Sequence, residues 1–212
     1  VRLYEEEREL PVTVFLDSSE SMLFGEPRKF DFARMVAAAV CHVALCGFDR
    51  VTVRAFPERE ENRTLKTALM SVRGRQSSLG LMGHLSRLEP GGGGDLNAEL
   101  RRGAIETRQV GLALVVSDLL DEQGYEDGIK ALLARGFQVM VVQVLSPEEL
   151  NPTSFGDLKF VDAETGGIKE VTFGKFRLDG YQASTSAYID QLAEFCRARG
   201  VGFWSVSSAC SL

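Results

Sequence analysis

The amino-acid sequence predicts an α/β fold in which helices cover both faces of a mostly parallel central sheet. Three nearly unbroken apolar runs, at 11–16, 111–116 and 137–145, are typical of strands that are buried on both faces. Segments rich in helix-forming residues lie between these runs. Because a strand, a crossover helix and a further strand build a parallel pair, this alternation predicts one parallel sheet.

The individual elements follow from local patterns. The helix at 28–47 has no charged residue between Arg34 and Asp49, so most of its surface is expected to be buried. A helix at 124–135 ends at Gly136, because glycine readily adopts the left-handed conformation that terminates helices. Further strands are predicted at 51–56 and 201–206, and further helices at 77–88, 95–107 and 184–199.

A β-hairpin is predicted near 157–175, outside the main sheet. The segments that begin at Leu158 and Ile168 alternate apolar and polar residues, as strands with one exposed face do. The sequence Glu-Thr-Gly-Gly at 164–167 lies between them and is typical of a tight turn. The hairpin is therefore expected to be an excursion from the parallel sheet.

Length and composition favour one domain that spans 1–212. The chain has 212 residues, of which 44% are hydrophobic and 25% charged, as in most globular domains. Its net charge of -6 has the wrong sign for a broad phosphate-binding surface, so nucleic acid is not an expected partner. The longest apolar stretch, 35–48, is shorter than the roughly 20 residues that cross a bilayer. Because the chain starts at Val1 without a methionine, we expect a fragment that lacks an N-terminal portion.

The four cysteines argue against a structural zinc site. They form no C-x-x-C motif, and the chain has only two histidines to complete a ligand set. Free cysteines are typical of a reducing compartment, so we expect a cytoplasmic protein.

Two predicted core strands end in acidic turns. Asp17 follows the first strand and begins the sequence Asp-Ser-Ser-Glu-Ser, and Asp118 follows the strand at 111–116. Since the carboxyl ends of parallel strands meet at one edge, we expect Asp17, Ser19, Ser21 and Asp118 to converge there. Carboxylate and hydroxyl oxygens with room for water suit Mg²⁺ or Mn²⁺. Aspartate and serine are also common in turns and helix caps, so the motif alone is equally compatible with a structural role.

The Asp-Ser-Ser-Glu-Ser-Met segment at 17–22 and the Val-Val-Ser-Asp segment at 115–118 resemble the metal-ion-dependent adhesion site of von Willebrand factor A domains. Taken in order, five segments resemble the bacterial family labelled domain of unknown function fifty-eight. They are the approach at 1–12, the D-x-S-x-S-M motif, a G-G-T-D-L-like segment, the S-D-L-x-D segment at 117–121 and the V-L-x-P-x-E-like segment at 144–148. The resemblance covers essentially the whole chain and implies a von Willebrand factor A-like, Rossmann-like fold.

The resemblance also implies a ligand set. The two serines would bind the cation through their hydroxyls, and the two aspartates would act directly or through water. The threonine ligand of the family falls on Gly94, which has no side chain. Three outcomes stay open: Asp95 takes the place of the threonine by reorientation, a water molecule fills the place, or the site holds Mg²⁺ or Mn²⁺ weakly or not at all.

The resemblance implies a binding function rather than catalysis. In the related adhesion sites a carboxylate of the ligand completes the metal shell, so the open coordination position serves recognition. Relatives of the family resemble companions of MoxR-type AAA+ ATPases. The resemblance therefore implies a non-enzymatic adaptor with such a protein partner in the cytoplasm, with membrane association left open for the full-length protein.

A hydrolase or phosphatase that uses Asp17 or a motif serine is the alternative. An aspartate after a strand can accept a phosphoryl group, but Ser19 stands where the second carboxylate of a D-x-D motif would be. A serine hydrolase needs a base and an oxyanion hole, and no G-x-S-x-G motif surrounds Ser19 or Ser21. The glycine run at 91–94 is not followed by Lys-Ser or Lys-Thr, so it does not match a phosphate-binding loop.

Overall fold

The computed structural model describes residues 9–57, 71–151, 156–161, 168–173 and 175–211, and strands and helices alternate along them. The strands are β1 (Pro11–Asp17), β2 (Arg50–Phe56), β3 (Val72–Arg73), β4 (Leu112–Ser117), β5 (Gln138–Leu145), β6 (Gly156–Val161), β7 (Ile168–Phe173) and β8 (Gly202–Ser207). The α-helices are α1 (Lys29–Cys46), α2 (Ser78–Leu85), α3 (Leu96–Glu106), α4 (Glu126–Arg135), α5 (Pro147–Leu150) and α6 (Lys175–Arg197). A one-turn 3-10 helix, Glu20–Leu23, follows β1.

Six of the described strands form one sheet in the order β3-β2-β1-β4-β5-β8. Strands β2, β1, β4, β5 and β8 run parallel, while β3 pairs antiparallel with β2 at the edge. The central position of β1, between β2 and β4, explains why its sequence is apolar at almost every position. The structure confirms the predicted mostly parallel sheet with helices.

Alternate residues of β1 face two separate cores, because successive side chains of a strand point to opposite faces. On one face, Val14 and Leu16 of β1 pack in a cluster that includes Ala37 of α1. On the other face, Phe15 belongs to a cluster that includes Leu100 of α3. The single apolar run of β1 therefore supplies both cores.

The predicted hairpin is present. Strands β6 and β7 pair antiparallel and form a separate two-stranded sheet. This agrees with the excursion expected near 157–175, although the predicted turn at 164–167 lies outside the described residues. In the parts of the chain that the structure describes, no helix is both long and apolar enough to cross a membrane.

Two elements differ from the predictions. Helix α6 begins at Lys175 rather than at residue 184. Gly180 and the serines and threonine of 184–186 have low helix propensity, which hides the helical pattern there. Strand β3 has only two residues, too few for an alternating pattern to be visible.

Gly103 allows α3 to lie close to the sheet. A Cβ atom at this position would be 2.2 Å from Cε1 of Phe15 in β1. Carbon atoms that are not bonded to each other do not approach this closely, so any side chain at Gly103 would push α3 away from β1. Because α3 begins directly after Asp95, its distance from the sheet also positions that residue.

We expect Gly103→Ala to lower the free energy of unfolding by about 1–3 kcal/mol, the usual cost of overpacking a core. Gly80→Ala in α2 is the matched control, because a Cβ atom at Gly80 would meet nothing within 4 Å. There, loss of the backbone freedom of glycine should raise stability by about 0.5–1 kcal/mol. Urea unfolding followed by circular dichroism measures both changes. Equal effects of the two substitutions would contradict the close packing of α3 on β1.

Candidate functional site

The carboxyl ends of β1 and β4 lie side by side at one edge of the sheet. Leu16 pairs with Val116, so the turns that follow the two strands are neighbours. A cleft of about 510 Å³ opens at this edge. Its lining includes Asp17, Ser19, Ser21, Asp95 and Asp118. The structure therefore brings together the five side chains that the sequence singled out.

The turn after β1 presents both motif serines on one side. The Oγ atoms of Ser19 and Ser21 lie 3.0 Å apart and form a hydrogen bond with each other. Met22 anchors the turn, because its side chain is fully buried in the same core as α1. The hydroxyls are therefore held next to each other in the wall of the cleft.

The glycine run at 91–94 supports this turn through its backbone. The N–H of Gly91 donates to the carbonyl oxygen of Ser18 at 2.7 Å. In return, the N–H of Glu20 donates to the carbonyl oxygen of Gly92 at 2.9 Å. Gly92 has a φ of 84°, a left-handed conformation that glycine adopts without strain. The run thus fixes the turn that carries the serines.

Asp17 is buried, and its carboxylate contacts hydrogen-bond donors of the described residues. Its Oδ1 accepts a hydrogen bond from the N–H of Ser19 at 2.9 Å, and its Oδ2 accepts one from Oγ of Ser117 at 2.5 Å. Among the described residues, no lysine, arginine or histidine forms an ion pair with Asp17. Burial and the negative charge of Asp118 raise the pKa of Asp17 to about 7, although the hydrogen bonds act in the opposite direction.

Asp118, in contrast, forms an ion pair with a buried lysine. Nζ of Lys29 lies 2.7 Å from Oδ2 of Asp118 and 2.6 Å from Oε1 of Glu149. Burial alone would lower the pKa of Lys29, but the two carboxylates raise it above its ordinary value. Asp118 therefore has a cationic partner, whereas Asp17 has none among the described residues.

Sequence reasoning missed Lys29 and Glu149. A signal for Lys29 is its position, because a cation in the first turn of a helix lies at the positive end of the helix dipole. A lysine at that unfavourable position indicates a specific acidic partner. Glu149 lies one residue beyond the segment at 144–148, where it forms a capping box with Ser146.

Gly94 and Asp95 line the cleft next to Pro57. A Cβ atom at Gly94 would lie 3.0 Å from Cβ of Pro57, so a threonine there requires Pro57 to move. Asp95 lines the cleft, but its Oδ1 accepts a hydrogen bond from the N–H of Ala98 at 2.9 Å. One of its two carboxylate oxygens is therefore engaged in the N-terminal cap of α3.

The two histidines do not line the cleft. Nδ1 of His42 is 2.8 Å from Oγ of Ser78, and His84 is buried in α2, where burial lowers its pKa. Within the described ranges, no three His, Cys, Asp or Glu side chains form a cluster that could hold a metal ion. A cation in the cleft would therefore depend on the serine hydroxyls as well as on the carboxylates.

A larger cavity, of about 720 Å³, lies near the amino ends of β1 and β2. Two arginines in its wall are paired, Arg54 with Glu106 and Arg50 with Glu9. We place the candidate site in the smaller cleft, because ligands of open parallel sheets bind at the carboxyl edge. The uncompensated charge of Asp17 also lies there.

Asp17→Asn should stabilise the metal-free protein at neutral pH. The folded state keeps a proton on Asp17 up to about pH 7, whereas the unfolded chain releases it near 3.8. Wild-type protein therefore loses stability as the pH rises through this interval, and the asparagine variant does not. The difference should reach the order of 4 kcal/mol above pH 7. Urea unfolding in EDTA at several pH values measures it, and a difference that does not change with pH would argue against an uncompensated carboxylate.

Curated relatives match nearly the whole chain. The uncharacterized proteins Rv1480 of Mycobacterium tuberculosis and Mb1516 of Mycobacterium bovis are each 26% identical to it over 211 residues. Each match covers 97% of this chain and 65% of the relative. The chain therefore spans about two thirds of the length of these relatives.

Solved structures share the α/β fold at low sequence identity. The conserved hypothetical protein BatB of Bacteroides thetaiotaomicron has a TM-score of 0.53 and 16% identity, over 93% of this chain and 90% of that one. An aerotolerance-related membrane protein of Bacteroides fragilis has a TM-score of 0.50 and 15% identity, over 93% of this chain and 91% of that one.

The model of a family described as protein of unknown function DUF58 matches residues 1–187. The chain therefore belongs to the DUF58 family.

Proposed function

We propose that this chain is a non-catalytic protein-interaction module with a von Willebrand factor A-like fold and a partly degenerate metal-ion-dependent adhesion site. The cleft would bind Mg²⁺ or Mn²⁺ through Asp17, Ser19 and Ser21, with Asp118 acting through water. A carboxylate of a partner protein would complete the coordination of the cation.

The observation that carries this proposal is the buried, uncompensated carboxylate of Asp17 beside two hydroxyls in an open cleft. Removing an ionised carboxylate from water without a counter-charge costs on the order of several kcal/mol. A divalent cation supplies the missing positive charge. The donors present suit such an ion, because Mg²⁺ prefers oxygen ligands and keeps several waters, so a threonine at Gly94 is not indispensable.

Exposed apolar side chains in the cleft and in the segment after Ser21 support a protein partner. Leu120 lines the cleft and is 47% exposed. Leu23 and Phe24 follow the serine-bearing turn and are 37% and 53% exposed. Large exposed apolar side chains around a polar centre are typical of protein-binding surfaces. These side chains would contact the partner residues that flank its carboxylate.

For the partner we propose a MoxR-type AAA+ ATPase, with this domain acting as an adaptor in the bacterial cytoplasm. Membership of the DUF58 family supports the link, which otherwise rests on the family resemblance. A cytoplasmic location is the one that gives such an ATPase access to ATP. One structural neighbour is described as a membrane protein, so the proposal also admits membrane association of a longer protein.

Calorimetric titration with MgCl2 and MnCl2 tests the cation site. Wild-type protein should bind with an affinity on the order of millimolar, because the protein offers few charged ligands. Asp17→Asn should abolish binding, since it removes the charge but keeps the size of the side chain. Glu122→Gln is the matched control, because Glu122 lines the cleft but is not in the proposed ligand set.

Retention of binding by Asp17→Asn would contradict the proposed site.

Phosphatase and esterase assays on the same proteins address the alternative of a hydrolase. We expect no turnover above that of buffer. Turnover that is present in the wild type and lost in Asp17→Asn would replace the binding function with an enzymatic one.

Affinity capture from the source cells tests the proposed partner. A MoxR-type ATPase should be retained by the wild-type domain in Mg²⁺, because its carboxylate would complete the cation shell. It should be lost in EDTA and with Asp17→Asn as bait, as quantified by mass spectrometry. Equal retention under all three conditions would show that the ATPase does not contact the cation.

A further inference from the structure

We infer that Lys29 lowers the affinity of the cleft for a divalent cation, because its ammonium competes with a bound cation for Asp118. The inference rests on the proposed cation site. Nζ of Lys29 lies 2.7 Å from Oδ2 of Asp118, and the lysine side chain is 1% exposed. Water therefore screens this contact only weakly, so the charge of Lys29 acts on the wall of the cleft more strongly than that of a surface lysine would.

Both carboxylate oxygens of Asp118 are already engaged. Oδ2 pairs with Lys29, and Oδ1 accepts a hydrogen bond from the N–H of Leu120 at 3.1 Å. The backbone carbonyl of Asp118 accepts a further hydrogen bond from Nε2 of Gln143 at 3.1 Å. A cation that bound either oxygen of Asp118 directly would lie close to the ammonium of Lys29, and the two positive charges would repel. Asp17 also accepts two hydrogen bonds, but no cationic side chain of the described residues pairs with it. Lys29 therefore restricts Asp118 to contact through water and leaves Asp17 as the direct carboxylate ligand.

Lys29 is held from three elements and cannot turn away to solvent without breaking buried contacts. It is the first residue of α1, Asp118 follows β4, and Glu149 belongs to α5. Oε2 of Glu149 is itself fixed, because it accepts a hydrogen bond from the N–H of Ser146 at 2.8 Å. The ring centroid of Phe24 lies 5.9 Å from Nζ. Lys29 is thus a permanent charge in the wall of the cleft.

Asp118 and Glu149 share one ammonium, and this sharing makes the inference testable. Removal of the charge of Lys29 leaves Asp118 fully negative, which favours a divalent cation. Removal of the charge of Glu149 leaves the ammonium to Asp118 alone, which disfavours the cation. Both changes disturb the same buried network, so a merely structural role would weaken cation binding in both cases. Opposite effects on affinity identify an electrostatic role.

Magnesium titration of Lys29→Met and Glu149→Gln by calorimetry is the test, with thermal unfolding in EDTA and in MgCl2 as the second measurement. Lys29→Met should bind Mg²⁺ roughly tenfold more tightly, since a unit charge close to the cation is lost. It should also show a larger rise in Tm on addition of MgCl2 than the wild type. Glu149→Gln should bind Mg²⁺ more weakly than the wild type.

Lys130→Met is the matched control. Lys130 is half-exposed, pairs with Asp127 on α4 and does not line the cleft, so its loss should leave Mg²⁺ affinity unchanged. If Lys29→Met cannot be purified, the double variant Lys29→Met/Glu149→Gln leaves one buried unpaired charge fewer and should bind Mg²⁺ more tightly than Glu149→Gln, because the two proteins differ only in the charge of Lys29.

Each outcome decides between the two proposals. Unchanged or weaker Mg²⁺ affinity in folded Lys29→Met protein would overturn the inference while leaving the cation site of the wild type intact. Binding by Lys29→Met but not by the wild type would support the inference, because the lysine then takes the place of the cation. Absence of binding in both proteins would overturn the proposed function and this inference together.

Discussion

The carboxylate of Asp17 lies at the end of the central strand, where burial disfavours its ionised form. The arrangement of the neighbouring groups at this edge of the sheet depends on that carboxylate. Ser117, from the neighbouring strand, and the backbone of Ser19 both donate hydrogen bonds to it. These contacts orient the carboxylate and reduce the cost of its burial, but they bring no positive charge. The site is therefore well ordered yet electrostatically incomplete, which is the physical ground for proposing a cation there.

Asp118 shows how a carboxylate at the same edge can be paired with a cation of the protein itself. Asp118 lies in the same cleft, but Lys29 and Glu149 surround it with a buried ion-pair network. That network ties the start of α1 to the end of β4 and to the capping box of α5. Of the two carboxylates, Asp118 thus has an ion-pair partner, while Asp17 has only hydrogen-bond donors among the described residues. This division between similar side chains follows from their surroundings, not from their chemistry.

The shape of the cleft depends on close backbone contacts. A Cβ atom at Gly128 of α4 would lie 2.9 Å from Cβ of Leu100, so α3 and α4 stack closely. Asp121 then reaches the start of α3, where its Oδ2 accepts a hydrogen bond from the N–H of Leu96 at 2.7 Å. The same helix start carries Asp95. Small residues on the helices therefore bring the loops that line the cleft within hydrogen-bonding distance of one another.

The sequence by itself determined the parallel α/β sheet, the hairpin and the meeting of Asp17 with Asp118. Apolar periodicity reports burial along a single element, and the rule that parallel strands end at one edge converts two strand ends into one site. Only the tertiary structure revealed the pairing of Lys29 with Asp118 and Glu149, which are 89 and 120 residues away in the chain. It also showed Pro57 against Gly94. Such contacts depend on how helices and loops pack across the sheet, and no local pattern of residues encodes that geometry.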